Sequence, residues 1–318
     1  MSYTSLKGFN NINDTDSLTS LEKNIISFLD WGFLEKGAYT NVRLSQTDIN
    51  SNDRSILRRT THPNFTTGRV YESYDSNFVW ESGITPNPPI QISGVYLNNV
   101  LKLPSDATYG HYVDYTNGRV IFNSVVPSSA VVKMEYSFKN ILFTTAENVP
   151  ILRYLQDPTT DLNSPNYSIL NSGEWAIPSE QRGQLPVVAI ESTNNSTYKG
   201  YQLGSQLQEA NTDILIHIFA KDRVTAAKLG SFIKSQNEKT IFMYNIDMMV
   251  ASGRYSLDYL GRANSGRYIY PDLVKDNNLG GFRYNKLRFT SANLQGPFRL
   301  GNYYHSVVRF GIQVLDIL

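Results

Sequence analysis

Residues 214–235, ILIHIFAKDRVTAAKLGSFIKS, constrain the fold more than any other stretch, because they predict a strand that leads directly into a helix. In the strand, Ile214, Ile216 and Ile218 alternate with residues that are also mostly apolar. A strand that is apolar on both faces is typical of the middle of a sheet that is covered on both sides. We therefore predict a central strand, with the following helix packed against the sheet.

The helix of this unit is predicted to bury a stripe formed by Ala226, Leu229, Phe232 and Ile233. Turns between a strand and a helix often hold a phosphate loop, which requires glycines, or a nucleophile elbow, which requires Gly-x-Ser-x-Gly. The turn AKDRVT has neither pattern. Asp222 instead stands where an N-cap residue is expected. The strand–helix unit is therefore interpreted as scaffold.

A second helix is predicted near the N-terminus, over residues 20–34, where the apolar residues fall on one helical stripe. Thr19 followed by Glu22 resembles a capping box. The preceding residues 1–18 are polar, lack the pattern of a secretory signal, and are predicted to form an extended arm.

Residues 51–149 carry the patterns of an all-β module. Asn98-Asn99 and Asn117-Gly118 predict the turns of two hairpins, and the alternation in AVVKMEYSFK predicts a further strand. We predict an α+β fold: a mixed sheet with packed helices, interrupted by an inserted, sandwich-like β module. The predicted organisation is an arm at 1–18, an α/β domain made of 19–50 and 150–318, and the β module at 51–149.

Two further local expectations concern strands of this fold. The segment GYQLGSQLQEANTDILIHIFAKD predicts two strands joined by a turn near Ala210-Asn211. The segments FRYNKLRFTSANL and YYHSVVRFGIQVLDIL predict a closing antiparallel pair at the C-terminus.

Composition excludes several classes of site. The chain has no cysteine, so disulfides, thiolate metal sites and cysteine nucleophiles are excluded. The formal net charge of +1 gives no electrostatic reason to expect nucleic acid or a lipid surface as partner. None of the four histidines has the spacing of a metal motif. We therefore predict no catalytic residues, no cofactor and no metal, and a chain that is not an enzyme.

The candidate functional residues are instead candidates for protein contacts. The chain has 21 tyrosines, a residue type suited to interfaces and also to β-rich packing. The segment DRSILRRTTH (53–62) lies in a polar, basic stretch, and its arginines at helical spacing would lie close to one face and could clamp an acidic partner, with a solvated basic loop as the favoured alternative. The arm at 1–18 and the long stretch 251–281 are the other candidate contacts. The interface candidates are Arg54, Arg58, Arg59, Tyr255, Tyr259, Arg262, Tyr268 and Tyr270.

Residues 213–247, DILIHIFAKDRVTAAKLGSFIKSQNEKTIFMYNID, are similar to the strand–helix–strand unit of tail-terminator proteins of tailed bacteriophages. The segments ISFLDWGFLEKGAYTNV (26–42) and HYVDYTNGRVIFN (111–123) also resemble virion neck and tail-completion proteins. This resemblance covers about half of the chain, in separate pieces. It implies a structural virion protein that forms a ring, commonly a hexamer, which caps the tail tube and meets the head connector. It carries over no catalytic residues.

Three alternatives stay open at this stage. The chain could occupy another tail or baseplate position. The β module could bind a carbohydrate or a host surface, with Trp80 and the tyrosines of 109–115 stacking on sugar rings. A hydrolase would require His217 or His305 in a cleft beside a carboxylate, and a His217 without solvent access would count against it.

Overall fold

A computed structural model describes residues 19–48, 53–85, 87–148, 184–193, 196–200, 208–274 and 281–316. The fold is mixed α+β, with more strand than helix, and the strands in these ranges form two seven-stranded sheets and one two-stranded sheet. The predicted arm at 1–18 lies outside the described residues.

The first large sheet is built mainly from the C-terminal half of the chain, in the order β10-β11-β13-β16-β15-β14, with β12 paired to β13. All its pairs are antiparallel except that of β10 with β11. Its strands are β10 (Leu142–Thr145), β11 (Val187–Ser192), β12 (Thr197–Gly200), β13 (Gln208–Ala220), β14 (Thr240–Tyr244), β15 (Arg283–Leu300) and β16 (Tyr303–Asp316).

The predicted closing pair is confirmed, because β15 and β16 form one long antiparallel hairpin. The predicted turn at Ala210-Asn211 is wrong. Both residues lie inside β13, where Asn211 is in register with Thr197 on one side and with Gln313 on the other. The strand is extended there because the long β16 provides partners along the whole length of β13.

Within the described ranges the α-helices are α1 (Thr19–Glu35), α2 (Arg223–Lys234), α3 (Ile246–Ala251) and α4 (Tyr270–Val274). The prediction for α1 is correct within one residue at each end. Glu22, however, accepts a hydrogen bond from the backbone N–H of Ser192 at 2.6 Å, which is a contact with the sheet. Asp222 caps α2 as predicted, because its carboxylate accepts from the backbone N–H of Thr225.

The core of the sheet lies on the face of Ile214, Ile216 and Ile218, where α1 and α2 both contribute to one apolar cluster. On the opposite face of β13, Phe219 is buried but Leu215 and His217 are only half-buried. The central position of β13 is therefore confirmed. Complete cover of both its faces is not observed within the described residues, because the helices that pack on β13 share one side.

One helix residue departs from the predicted stripe. Ala226, Leu229 and Ile233 are buried against the sheet, but the Phe232 side chain is 58% exposed. Residues 226, 229 and 233 lie on one face of the helix, which is the face that packs on the sheet. Phe232 lies about 100° from Ile233 around the helix axis. It therefore points away from the sheet.

The second large sheet belongs to the β module and has the order β5-β4-β8-β2-β3-β7-β6. Every pair in it is antiparallel. Its strands are β2 (Ile56–Arg59), β3 (Val70–Glu72), β4 (Val95–Leu97), β5 (Val100–Lys102), β6 (His111–Asp114), β7 (Arg119–Phe122) and β8 (Val132–Lys133). A separate two-stranded sheet pairs β1 (Tyr39–Val42) with β9 (Tyr136–Lys139).

The first predicted turn has the backbone that its sequence requires, whereas the second is a four-residue loop, 115–118, in which Gly118 but not Asn117 is left-handed. Asn98 and Asn99 have φ values of 49° and 68°, as expected for a two-residue turn with both central residues left-handed. Gly118 has a φ of 64°, and a Cβ at this position would lie 2.2 Å from the carbonyl oxygen of Asp75. Glycine is therefore required there by both conformation and space.

Candidate functional site

The three arginines predicted as an acid-binding clamp do not form one. Arg58 and Arg59 are adjacent on strand β2, so the helical spacing assumed for them does not apply and their side chains leave opposite faces. Arg54 forms an ion pair with Asp75 inside the module, and its guanidinium lies over the rings of Tyr74 and Phe138.

The hydroxyl of Tyr136 completes this cluster by donating to Asp75 at 3.0 Å. Tyr136 is fully buried, and burial first, then the charge of Asp75, raises its pKa well above the usual range. Arg54 is thus a structural residue of the module core.

The aromatic candidates in the stretch 251–281 mostly pack within the chain. Tyr255, Tyr268 and Tyr270 are half-buried against an apolar cluster that includes Met249, Leu273 and Phe282. Much of the surface of these tyrosines is therefore used in packing within the chain, and their role as interface residues stays a prediction.

The tip of this stretch, around Arg262, contacts the β module. Arg262 pairs with Asp258 at 2.7 Å and its guanidinium lies over the ring of Tyr112 in the β module. The backbone N–H of Tyr115 also donates to the carbonyl of Gly261, so the tip is bonded to the module. Tyr259 is 92% exposed, and it alone among the aromatic candidates keeps an open surface.

Sequence reasoning missed a buried ionic cluster where α1, β9 and the segment after β3 meet. Lys139 Nζ donates to Asp30 and, at 2.6 Å, to Glu81, with the rings of Trp80 and several tyrosines nearby. Burial raises the pKa of Glu81 to about 7, helped by the charge of Asp30 and opposed by that of Lys139. Burial lowers the pKa of Lys139, but the two carboxylates outweigh it and the net shift is upward.

A cavity of about 130 Å³ adjoins this cluster, and Asp30, Trp80 and Glu81 are among its lining residues. Its volume corresponds to about four waters, well below the several hundred Å³ of typical ligand pockets. The aromatic faces around it are occupied by cations of the same chain, since Arg267 lies over Trp80 and Arg254 over Tyr268. The cluster is therefore interpreted as a structural joint.

A second polar assembly joins three strands on the half-buried face of the C-terminal sheet. His217 Nε2 lies 3.0 Å from Glu191 Oε2, and His217 Nδ1 lies 3.1 Å from His305 Nε2. The two imidazole planes differ by 11°, and His305 also stacks on Phe219 with ring centroids 4.5 Å apart. We call these three polar residues the Glu–His–His row.

For a neutral His217, hydrogen-bond chemistry defines the tautomers along this row. A carboxylate oxygen only accepts, so His217 Nε2 donates to Glu191 and His217 Nδ1 is left to accept. His305 Nε2 must then donate to His217, which leaves the lone pair of His305 on Nδ1. Burial, and then the neighbouring His217, lowers the pKa of His305 to about 4, so the imidazole is neutral at physiological pH.

Two of the features expected of a hydrolase are present. A histidine lies beside a carboxylate, and 21% of the His217 side chain is exposed to solvent. The row lies on an open strand surface and lines neither the 130 Å³ cavity nor the larger one near Tyr259. No cluster of three or more metal-binding side chains occurs in the part of the chain that the structure describes.

The residues suggested for sugar stacking are also used within the chain. Lys139 and Arg267 both lie 5.7 Å from the centroid of Trp80, and Lys102 lies at the same distance from that of Tyr109. Together with Arg262 over Tyr112, these contacts occupy the aromatic surfaces that a sugar ring would need.

Comparisons with known proteins identify no relative. No protein-family model, curated protein or solved structure matches the chain. None of the helices within the described ranges is long and apolar enough to cross a lipid bilayer.

The most open apolar surfaces lie at sheet edges and on outward helix faces. The edge strand β5 and the residue after it expose Val100, Leu101 and Leu103. The β15–β16 hairpin exposes Phe298 and Leu300 near its turn.

Proposed function

We propose that this chain is a structural virion protein of a tailed phage, which forms a ring at the head–tail neck, terminates the tail tube and joins it to the head connector. Its partners would be copies of itself, in a ring of about six, and the neighbouring tail tube, sheath and connector proteins. It would use no small-molecule substrate, sequence-specific nucleic acid or membrane. It would be assembled in the host cytoplasm and reside in the virion.

The observation that carries this proposal is the open apolar edge of the module sheet. Val100 is 58% exposed on β5, a strand with a hydrogen-bonded neighbour on one side only within its sheet. Natural proteins usually protect such edges with charge, proline or a covering element, because a free apolar edge recruits other strands. An edge of this type is suited to association between subunits.

Ring formation requires a heterologous interface, in which two different surfaces of the same chain meet and the rotation closes. The described structure offers separated apolar surfaces of this kind, at β5 in the module and at the β15–β16 turn in the other sheet. Obligate interfaces typically bury about 2,000–5,000 Å². The resemblance of residues 213–247 to tail terminators then suggests the neck as the place of assembly, with another tail or baseplate position as the alternative.

The mass of the full chain in solution, measured by light scattering and supported by particle images, tests this proposal. A ring is expected at about six times the chain mass of 36.0 kDa. Val100→Lys is expected to dissociate it. Val250→Lys, at a site on α3 with nearly equal exposure, is the matched control and should leave the mass unchanged. A monomer at all concentrations, with images free of rings, would refute self-assembly.

The Glu–His–His row is the one observation that points to a hydrolase as a second candidate, in which His305 Nδ1 would accept a proton from water or a substrate hydroxyl. The row lines neither of these two cavities in the described structure, and the pKa of about 4 makes His305 a weak base. A screen of ester, amide and phosphodiester substrates tests it, with His305→Gln as the inactive comparison. Turnover that is equal in the wild-type and variant proteins would exclude a role for the row in catalysis.

A further inference from the structure

The outward face of α2 carries apolar and cationic side chains together. We call it the α2 surface and define it by Lys221, Arg223, Val224, Lys228, Phe232 and Lys234. Val224 is 59% exposed and Phe232 58%. Residues 224, 228 and 232 recur at intervals of four, so they follow one line along the helix.

The four cations of this surface form no ion pair with a carboxylate among the described residues, although the pKa of Asp222 is lowered by its bonds to Thr225 and, to a smaller extent, by the charge of Lys228. Elsewhere many cations are paired with carboxylates, as in Arg54 with Asp75, Arg119 with Asp114 and Arg309 with Asp213. The cations of the α2 surface form no such ion pair among the described residues. Asp222 is the acidic residue at this end of the helix, and its carboxylate is engaged by the N-cap bond to Thr225.

Two features indicate that positive charge is concentrated on the α2 surface. The whole chain has a formal net charge of only +1, so four cations against one capping carboxylate stand out from the average surface. Arg223 also lies in the first turn of α2, where the helix dipole disfavours a positive charge. Neither feature contributes to the stability of the isolated fold.

Strand register extends the basic surface at one end. Ala220 at the end of β13 is in register with Tyr304, and Tyr304 is in register with Arg299. The start of α2 therefore lies at the same end of the sheet as the exposed Arg299. Arg299 is a further cation at this end of the sheet, on β15, which β16 separates from β13.

We propose that the α2 surface binds an acidic, amphipathic polypeptide segment of a partner protein. Carboxylates of the partner would pair with Lys221, Arg223, Lys228 and Lys234, and apolar side chains would cover Val224 and Phe232. This pairing supplies both charge complementarity and a desolvated aromatic anchor, which are the usual sources of specificity and affinity in protein interfaces. The inference goes beyond the proposed neck function and does not depend on ring assembly.

The chemistry favours a polypeptide over the two other common anionic partners. A nucleic-acid backbone would gain nothing from Val224, and the small net charge of the chain gives no long-range attraction to it. An interfacial membrane helix needs a continuous apolar face, whereas the apolar stripe of α2 at Ala226, Leu229 and Ile233 is buried against the sheet.

Binding of a designed probe to the full chain tests the inference. The probe is a fluorescently labelled amphipathic helical peptide with Glu at its polar positions, and its counterpart has Lys at each of these positions. Fluorescence anisotropy is expected to show binding of the Glu peptide, weakening as salt screens the charges. The Lys peptide is expected not to bind.

Variants locate the binding site. Lys228→Glu and Phe232→Ser should each weaken binding of the Glu peptide by roughly tenfold. Lys36→Glu and Met248→Ser, which change an exposed cation and an exposed apolar residue elsewhere, should leave binding within about twofold. All four positions are exposed, and circular dichroism and thermal melts verify that each variant is folded.

Three results would overturn the inference. The first is equal binding of the Glu and Lys peptides, and the second is equal weakening by the α2 and control variants. The third is tighter binding to a DNA duplex or to phosphatidylserine vesicles than to the Glu peptide, abolished by Lys228→Glu, which would assign the surface to that anion. Because the readout is peptide binding by one chain, it is separate from the mass measurement that tests ring assembly.

Discussion

His217 Nδ1 and His305 Nε2 lie 3.1 Å apart across two neighbouring strands, although 88 positions separate the residues in the sequence. The imidazole planes are nearly parallel, and Glu191 holds the far nitrogen of His217. This contact sets the order of donors and acceptors along the row, because a neutral imidazole that donates from one nitrogen can only accept at the other.

The first prediction is that the row has one fixed set of tautomers at neutral pH. Nitrogen-15 NMR should show the proton of His217 on Nε2 and that of His305 also on Nε2. Glu191→Gln should permit both tautomers of His217, because an amide can donate as well as accept. A wild-type His305 protonated on Nδ1 would contradict the hydrogen-bond order deduced here.

The second prediction concerns the titration of His305, whose folded pKa of about 4 lies below the reference value of 6.5. Between these values the unfolded chain binds more protons at His305 than the folded chain. Its contribution to the free energy of unfolding is therefore lost as pH falls through this window. The NMR midpoint of His305 should lie near pH 4 and should rise in His217→Phe, whereas a wild-type midpoint at 6.5 would disprove the effect.

The third prediction concerns Glu81, whose folded pKa of about 7 lies above the reference value of 4.5. The folded chain binds more protons at Glu81 in this window, so the free energy of unfolding should fall as pH rises from 4.5 to 7. The contribution is on the order of 3 kcal/mol.

Urea titrations at several pH values measure this slope. Glu81→Gln should flatten it, and Glu35→Gln, at an exposed carboxylate on α1, should not. The two oxygens of Glu81 accept from Lys139 and from the backbone N–H of Trp80, and glutamine has only one oxygen to replace them. The variant therefore also loses stability at every pH, so the change of stability with pH is the quantity to compare.

The fourth prediction compares two arginines that each pair with an aspartate and lie over an aromatic ring. Arg54→Met should cost about 2–4 kcal/mol, because it leaves the largely buried carboxylate of Asp75 without its cation. Arg262→Met should cost less than about 1 kcal/mol, because its pair with Asp258 is more exposed. Equal losses of unfolding free energy would contradict the structural role assigned to Arg54.

The fifth prediction separates backbone conformation from close contact. Gly118 and Gly253 have φ values of 64° and 67°, but a Cβ would lie 2.2 Å from a backbone oxygen at Gly118 and would meet nothing within 4 Å at Gly253. Gly253→Ala should cost about 1 kcal/mol, and Gly118→Ala should cost at least about 2 kcal/mol more. Thermal melts that give the same loss for both variants would refute the contact at Gly118.

Local pattern was sufficient where a residue's environment depends on near neighbours. The extent of α1, the cap at Asp222 and the turn at Asn98-Asn99 followed from helical periodicity, N-cap chemistry and left-handed turn preference. Pattern was insufficient for Arg58 and Arg59, where a polar, basic composition concealed a strand that is held by its neighbours β3 and β8.

The sequence by itself determined the mixed α+β class, the central position of β13 and its connection to α2. Each of these follows from the apolar pattern of residues that are close together in the chain. Tertiary structure decided the rest. The register of β11, β13 and β16 brings Glu191, His217 and His305 together, and the docking of α1 on the sheet brings Asp30 to Lys139. The outward position of Phe232 follows from which helix face fills the core. These contacts join positions far apart in the sequence, where periodicity carries no information.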